Sequence, residues 1–347
     1  MRALVYHGPE DIRCERVDDP TPRDLDGAVV RVDRAGICGS DLHIYSGHGF
    51  SPDPGYIVGH EAVGEVVEVG SGVRRFSVGD RVLVSAASGC ASCEPCLRGN
   101  VTRCENGQMG CYGLGHALQG SQAEAVSVPC ADTGLRLMPE GISDDQAVLL
   151  TDNLPTAWFG ARRADIQPGD TVAVVGLGPV GLCAVASAFA MGASRVFGID
   201  LVPDRRRHAE ALGAEGIDSD DPKERVMELT GGVGVDRVIE AVGADATISL
   251  ALSLPRNEGA VSVVGVNQNT HFDCNMALMQ VRSLSFHIGL CSVQAELPAL
   301  IPLVQSGRIP TSEMVSHHMG LSEGEEAYRR FAAREGDVRK IILDPSR

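Results

Sequence analysis

The stretch TVAVVGLGPVG, Thr171 to Gly181, constrains the chain more than any other. Thr, Val and Ala in TVAVV read as a buried strand, and the glycines that follow have the spacing of a turn into a helix. Gly176 allows the tight turn, Gly178 lets the backbone approach a pyrophosphate, and Gly181 lets helix and strand pack closely. Pro179 and Val180 begin a helix whose N-terminal amides and dipole favour phosphate. Alone, such a glycine pattern is weak. Here the next strand ends at Asp200, about twenty residues on, where a carboxylate can hold ribose hydroxyls. A glycine-rich packing turn is the bland alternative. Asp200 would repel a 2′-phosphate, so NAD is favoured over NADP. PDRRRH, with Arg205, Arg206 and Arg207, is the counter-signal; those arginines fit either a phosphate clamp or a solvated first helical turn.

The rest of the chain follows from that unit. SRVFGID, VDRVIEAV, GAVSVVG and LSFHIG read as further buried strands. Pro179–Met191, Asp204–Leu212, Pro222–Leu229 and Asp245–Leu254 read as the helices between them. Repeated strand–helix units imply a doubly wound parallel sheet over residues 156–290. Before it the rhythm differs: GAVVRV, EAVGEVVEV, DRVLVS and AEAVSV are short valine-rich runs between Gly, Pro and Asp turns. They predict an antiparallel β-rich domain over residues 1–155. After residue 290 a mixture of helix and turn ends in VRKIIL, a last strand. At 347 residues, two domains of ordinary size are expected.

Apolar content is 44% and the formal charge is −16 at pH 7, which argues against nucleic acid or an anionic membrane as partner. The N-terminus, MRALVYHGPEDIRCERVDD, has charges where a secretory signal needs an apolar stretch, and LCAVASAFAMGA is too short to span a bilayer. A cytoplasmic protein is expected, so its eleven cysteines read as thiols or metal ligands rather than disulfides.

CASCEPCLRGNVTRC places Cys90, Cys93, Cys96 and Cys104 with two, two and seven residues between them. Zinc needs four soft donors converging at about 2.3 Å, and loops with Gly and Pro can fold around it. No position remains open, so the site would be structural. An Fe–S cluster or a merely reduced cysteine-rich loop are the alternatives.

A second site is spread over three segments: GICGSDLHIYSG with Cys38, Ser40, Asp41 and His43; IVGHEAVGEVVEVG with His60 and Glu61; and LLTDNLPTAW with Asp152. His60 and Glu61 are not a zincin helix, because the residue four after His60 is Gly64. Cys, His and carboxylate beside a dinucleotide motif point to a catalytic zinc with an open position. Neighbouring strand residues point to opposite faces, so it is not obvious how His60 and Glu61 share one site. Asp41 reads as a structural turn carboxylate.

These motifs, in this order and spacing over about residues 1–345, resemble the zinc-dependent medium-chain alcohol dehydrogenases, closest to a bacterial secondary-alcohol or polyol-like branch. The resemblance implies a GroES-like β-rich catalytic domain, residues 1–155 completed by 291–347, and a Rossmann domain at 156–290. It implies two zincs per chain: a catalytic one on Cys38, His60 and Asp152, with Glu61 as a ligand that comes and goes, and a structural one in the four-cysteine lobe. The activity implied is reversible hydride transfer between an alcohol and NAD(P). Polyol, threonine and aldehyde-type dehydrogenases of the same family are the alternatives, and a non-enzymatic zinc and nucleotide-binding protein is the reading from another class. Ser40 and His43 would form a proton relay by resemblance; as residues alone they read as a turn serine and a surface histidine. Arg339 matches an arginine that meets the cofactor phosphates, and Val264–Val266 and His287–Leu290 match strand ends beside the nicotinamide. Leu290, Ala86 and Trp158 fit either a substrate pocket or the core. A homo-oligomer is implied, a tetramer rather than a dimer. Cys14, Cys111, Cys130, Cys183, Cys274 and Cys291 have no partners at ligand spacing and are expected as buried small apolar residues, and His317–His318 as surface.

Overall fold

Valine-rich strands with period-two burial form the first of two units in the computed structural model, which describes residues 1–311, 314–334 and 337–347. This unit comprises Met1–Pro155, Ser292–Gly307 and Thr311–Arg347. Its main sheet runs in the order Leu135–Leu137, Arg81–Val84, Glu61–Val69, Ala28–Gly36, Ile341–Asp344 and His317–Gly320, with Ala125–Val128 also paired to Ala28–Gly36. The strands are antiparallel except the last pair, which is parallel. Leu4, Val30, Val66, Val84, Tyr112, Tyr328 and Leu343 lie in one buried core beneath it.

The register of this sheet builds the site. Gly36 lies opposite Glu61 on one side and opposite Ile342 on the other. Residues just beyond Gly36, just before Glu61 and just before Ile341 therefore meet at one sheet end, although they are far apart in sequence. Glycine is required where backbones and side chains crowd. A Cβ on Gly36 would fall 1.9 Å from Glu61 Oε2, and one on Gly64 would fall 1.9 Å from the Arg31 carbonyl.

In the second unit, Thr156–Cys291 with Arg308–Pro310, six parallel strands are ordered Glu215–Gly216, Arg195–Ile199, Thr171–Val175, Val235–Glu240, Pro255–Val263 and Ser285–Ile288. The central strand is buried on both faces, which explains its unbroken apolar run: Val172, Ala173, Val174 and Val175 are all buried. The helix Pro179–Met191 has Pro at its first position and Gly192, at φ +104°, just past its end. The strand order reverses at Thr171–Val175, and such a switch point opens a ligand crevice at the strands' carboxyl ends.

The expected helices Pro179–Met191 and Pro222–Leu229 are found with those bounds, and two others shift by one residue: Pro203–Ala211 and Asp245–Ser253. Two elements differ from the sequence reading. Asp144–Leu149 is a helix, begun by a capping box of Ser143 and Gln146, inside the segment read as strand-like. His317–Gly320 is a strand parallel to Ile341–Asp344 within the stretch read as helix and turn, with His318 exposed as expected and His317 half-buried; a four-residue strand at a sheet edge has too few alternations to show a period. The expected final strand is confirmed as Ile341–Asp344.

Because Gly64 is packed against strand backbone that cannot swing away, Gly64→Ala is expected to destabilise the protein by about 1–3 kcal/mol. A urea denaturation midpoint lower than that of the parent checks it.

Candidate metal and nucleotide sites

The sheet end gathers all four residues of the dispersed motif. One ligand-type atom from each of Cys38, His60, Glu61 and Asp152 lies within 4.8 Å of the others. Cys38 Sγ is 3.3 Å and His60 Nε2 is 3.5 Å from Asp152 Oδ2. Cys38, His60 and Glu61 are buried, and the Asp152 side chain is 17% exposed, leaving one accessible side. The Ser40 hydroxyl sits 3.2 Å from His60 Nε2, and His43 is half-buried on the short helix Asp41–Tyr45.

His60 and Glu61 reach the same place because only Glu61 belongs to the strand, Glu61–Val69. His60 precedes it, after Gly59 at φ +91°, so the alternation rule does not apply across the pair. A side chain on Gly59 would strike Gln122, with Cγ 2.3 Å from the added Cβ.

The electrostatics fit a cation. Burial pushes the Cys38 thiol up, and the charges of Asp152 and Glu61 push it further. Burial alone would favour neutral Asp152, but the hydrogen bond and charge of His60 hold it at about 2. Burial likewise opposes charge on His60, yet the Asp41 carboxylate and its bonding partners lift its pKa well above the usual histidine value. Taken alone, the side chains thus keep a proton on His60 to offset the carboxylates. Glu61 Oε1 is buried without a hydrogen-bond partner. Soft thiolate, imidazole and carboxylate with a free oxygen nearby are a zinc donor set.

The four-cysteine lobe forms a second cluster, with one sulfur from each of Cys90, Cys93, Cys96 and Cys104 within 4.8 Å. Donors converge on Cys90 Sγ: the Ser92 hydroxyl at 3.3 Å, the Cys93 amide at 3.3 Å and Asn106 Nδ2 at 3.3 Å. The hydrogen bond from Ser92, followed by backbone amides, brings the Cys90 pKa down to about 5. Amides aimed at a sulfur favour the thiolate, the form that binds metal. All four donors are sulfur, which fits a closed structural zinc.

In the second unit the glycines stand as their roles demand. Gly176 has φ +87°, and a Cβ there would hit Val242. A Cβ on Gly181 would lie 1.8 Å from the Gly176 carbonyl, whereas Gly178 faces open space, with only Arg205 Nη1 at 3.9 Å. Asp200 accepts from the Leu177 amide at 2.8 Å and the Val202 amide at 2.8 Å, and Arg205 lies 3.6 Å away. Pro179 and Val180 are the first turn of the following helix. Val264 is buried and Val266 half-buried just past Pro255–Val263; Leu290 is half exposed.

Residues 24–139 match the alcohol dehydrogenase GroES-like domain family, and residues 179–306 match the zinc-binding dehydrogenase family. A probable zinc-binding alcohol dehydrogenase of Mycobacterium tuberculosis is 44% identical over 99% of this chain and 89% of its own. The solved alcohol dehydrogenase of Thermus sp. ATN1 is 40% identical, covers 99% of both chains and superposes with a TM-score of 0.92. A 2R,3R-butanediol dehydrogenase from Bacillus subtilis is 28% identical, again over 99% of both chains, with a TM-score of 0.84. The chain belongs to the zinc-dependent medium-chain alcohol dehydrogenase family. It is a zinc-dependent oxidoreductase that acts on an alcohol and takes a nicotinamide dinucleotide.

Around the dehydrogenase's dispersed metal cluster, the structure adds residues that sequence reasoning missed. Asp41 does close a turn, accepting the Cys38 amide at 2.9 Å, but its other oxygen lies 3.3 Å from His60 Nδ1. Its charge thus faces Nδ1, while Nε2 is turned to the cluster. Gln122 supports Asp41 at 3.2 Å, bonds the Gly36 carbonyl at 2.9 Å and accepts from the Tyr328 hydroxyl at 2.8 Å. Lys340, fully buried, pairs with Glu61 and donates to the Ile37 carbonyl at 3.0 Å. Burial opposes its charge most, but the charge and hydrogen bond of Glu61, with the charges of Cys38 and Asp152, together outweigh that and raise its pKa. Arg339, its neighbour, lies instead near Asp337, 3.3 Å away. The Ser40–Asp41 motif was the available signal for Asp41; nothing local marks Gln122 or Lys340.

The remaining cysteines correct one expectation. Only Cys183 is buried; Cys14, Cys111, Cys130, Cys274 and Cys291 are half-buried. They sit on outer strands, strand ends and loops, where one side of a small residue stays open.

Lys340→Met would leave Glu61 buried without its counter-charge. A loss of about 3–5 kcal/mol is expected. The double variant Lys340→Met/Glu61→Gln should recover most of it, as read by urea denaturation of the zinc-stripped protein.

Proposed function

We propose that the enzyme oxidises a secondary alcohol to its ketone with NAD, reversibly, at a zinc held by Cys38, His60 and Asp152. The observation that carries this is the convergence of those three donors, one partly open to solvent, with Glu61 beside them. Bound there, zinc would act as a Lewis acid that acidifies an alcohol's hydroxyl. The similarity to a butanediol dehydrogenase supports a secondary alcohol as substrate.

The chain's own residues would handle the proton. Ser40 lies within hydrogen-bond reach of His60 Nε2. It is placed to accept the substrate's hydroxyl proton. His43 follows on the same helical turn, its amide 3.2 Å from the Ser40 carbonyl. Burial, then the neighbouring His48, lowers the His43 pKa. Its ring is therefore neutral at physiological pH and able to take a proton outward. Glu61, tethered by Lys340, is the fourth group near the metal and a candidate for transient ligation.

NAD is favoured over NADP because Asp200 presents a carboxylate at the end of Arg195–Ile199, fixed by two amides. A carboxylate accepts from both ribose hydroxyls but repels a 2′-phosphate. Arg205 is already within ion-pair distance of that carboxylate, which weakens it as a phosphate clamp. A homo-tetramer in the cytoplasm completes the reading.

Purified protein is expected to hold two zincs per chain and to reduce NAD with secondary alcohols. One zinc and no reduction of either dinucleotide would overturn the reading. Ser40→Ala should lower kcat by about 100-fold or more with zinc content unchanged. Asp200→Ala should lower kcat/KM for NAD by about 10–100-fold, the loss of a charge-assisted hydrogen bond, while NADP loses less.

A further inference from the structure

The residue after Asp152 is Asn153, the first of the helix Asn153–Arg163 and fully buried. Its Nδ2 lies 3.5 Å from Cys38 Sγ and 3.3 Å from Asp152 Oδ2. An amide nitrogen carries two hydrogens and accepts nothing, so it has one N–H for each of these groups. Cys38 and Asp152 are 114 residues apart in sequence and 3.3 Å apart in space. The other end of the amide is unpaired: Asn153 Oδ1 is buried with no hydrogen-bond partner. An unsatisfied buried carbonyl is costly, and an apolar residue of the same shape would avoid it. The donor end must therefore contribute something that a leucine would not.

We propose that Asn153 is a positioning residue that holds the two anionic zinc ligands, Cys38 and Asp152, at the separation the metal needs and draws charge away from the sulfur. This rests on those residues holding the catalytic zinc. Once a metal displaces the Cys38 proton, a thiolate and a carboxylate at such a distance repel each other, and a shared donor between them offsets part of that repulsion. Together they also cancel the charge of a divalent cation. An N–H bond to each lessens the electron density they donate, which preserves the metal's pull on a substrate oxygen. Lys340 stands on the Glu61 side of the cluster and donates to a backbone carbonyl and to Glu61, so it cannot serve the same pair.

The test uses the full-length enzyme and its four-cysteine zinc as an internal control. Asn153→Leu removes both N–H groups at nearly constant volume, and Asn153→Ala removes them without any overpacking. Zinc transfer to a chromogenic chelator is followed for the parent and both variants. One of the two zincs is expected to be held about 10–100-fold less tightly in both variants, with the other unchanged. In a hybrid carrying cobalt(II) in place of only the weaker zinc, the sulfur-to-cobalt charge-transfer band should move to longer wavelength in the variants, because a thiolate freed of its N–H donor gives up electrons more readily. Parent-like retention of both zincs with an unmoved band would overturn the proposal. Loss of both zincs together in both variants would also overturn it, by assigning Asn153 to folding. A parent holding a single zinc, unchanged by Cys38→Ser, would instead refute the underlying ligand assignment.

Discussion

A thiol, an imidazole and two carboxylates within 4.8 Å of one another, nearly all buried, make a charge arrangement that a protein interior does not tolerate unaided. Much of the first unit can be read as its compensation. Lys340 is buried to neutralise Glu61, Asp41 is buried to orient and charge His60, and Gln122 is buried to satisfy Asp41. Each compensating group needs its own partner, so the demand spreads outward until it reaches Tyr328 on the helix Gly324–Ala333. Gly36 has no side chain because Glu61 and Lys340 occupy the space one would take.

The same demand explains the chain path. Lys340 meets Ile37 and Glu61 across separations of 303 and 279 residues. The last strand, Ile341–Asp344, must return to pair with Ala28–Gly36 after the whole parallel-sheet unit has been made. Contacts of such sequence separation carry a large closure cost and form late. Until they form, Glu61 lacks its counter-charge. The metal site is thus completed only when both ends of the first unit have come together, and a metal that binds it stabilises that late arrangement.

Legibility in the sequence follows the range of each interaction. The glycine turn, the four-cysteine lobe and the helices Pro179–Met191 and Pro222–Leu229 were readable because each is decided within about twenty residues. The support of the dispersed site was not. Lys340 sits beside Arg339 in VRKIIL, where cations read as the solvent face of a strand end. Both cations precede the strand Ile341–Asp344, so no strand period marks Lys340 as the one that turns inward to Glu61. Gln122, in a loop between short strands, carries no periodic signal at all. Its importance exists only once Gly36, Asp41 and Tyr328 have been brought to it.

His60 and Glu61 show how two levels of constraint meet. As strand neighbours they would face apart, and a metal could take only one. Gly59 adopts a positive φ and places His60 outside the strand, while register holds Glu61 opposite Gly36. Each then acquires a separate partner: Asp41 for the imidazole, Lys340 for the carboxylate. Their partners also differ in kind. An anion strengthens the imidazole as a donor, whereas a cation competes with the metal for the carboxylate. On the proposed ligand assignment the adjacent pair is unequal by construction: His60 would be biased towards holding the metal and Glu61 towards releasing it.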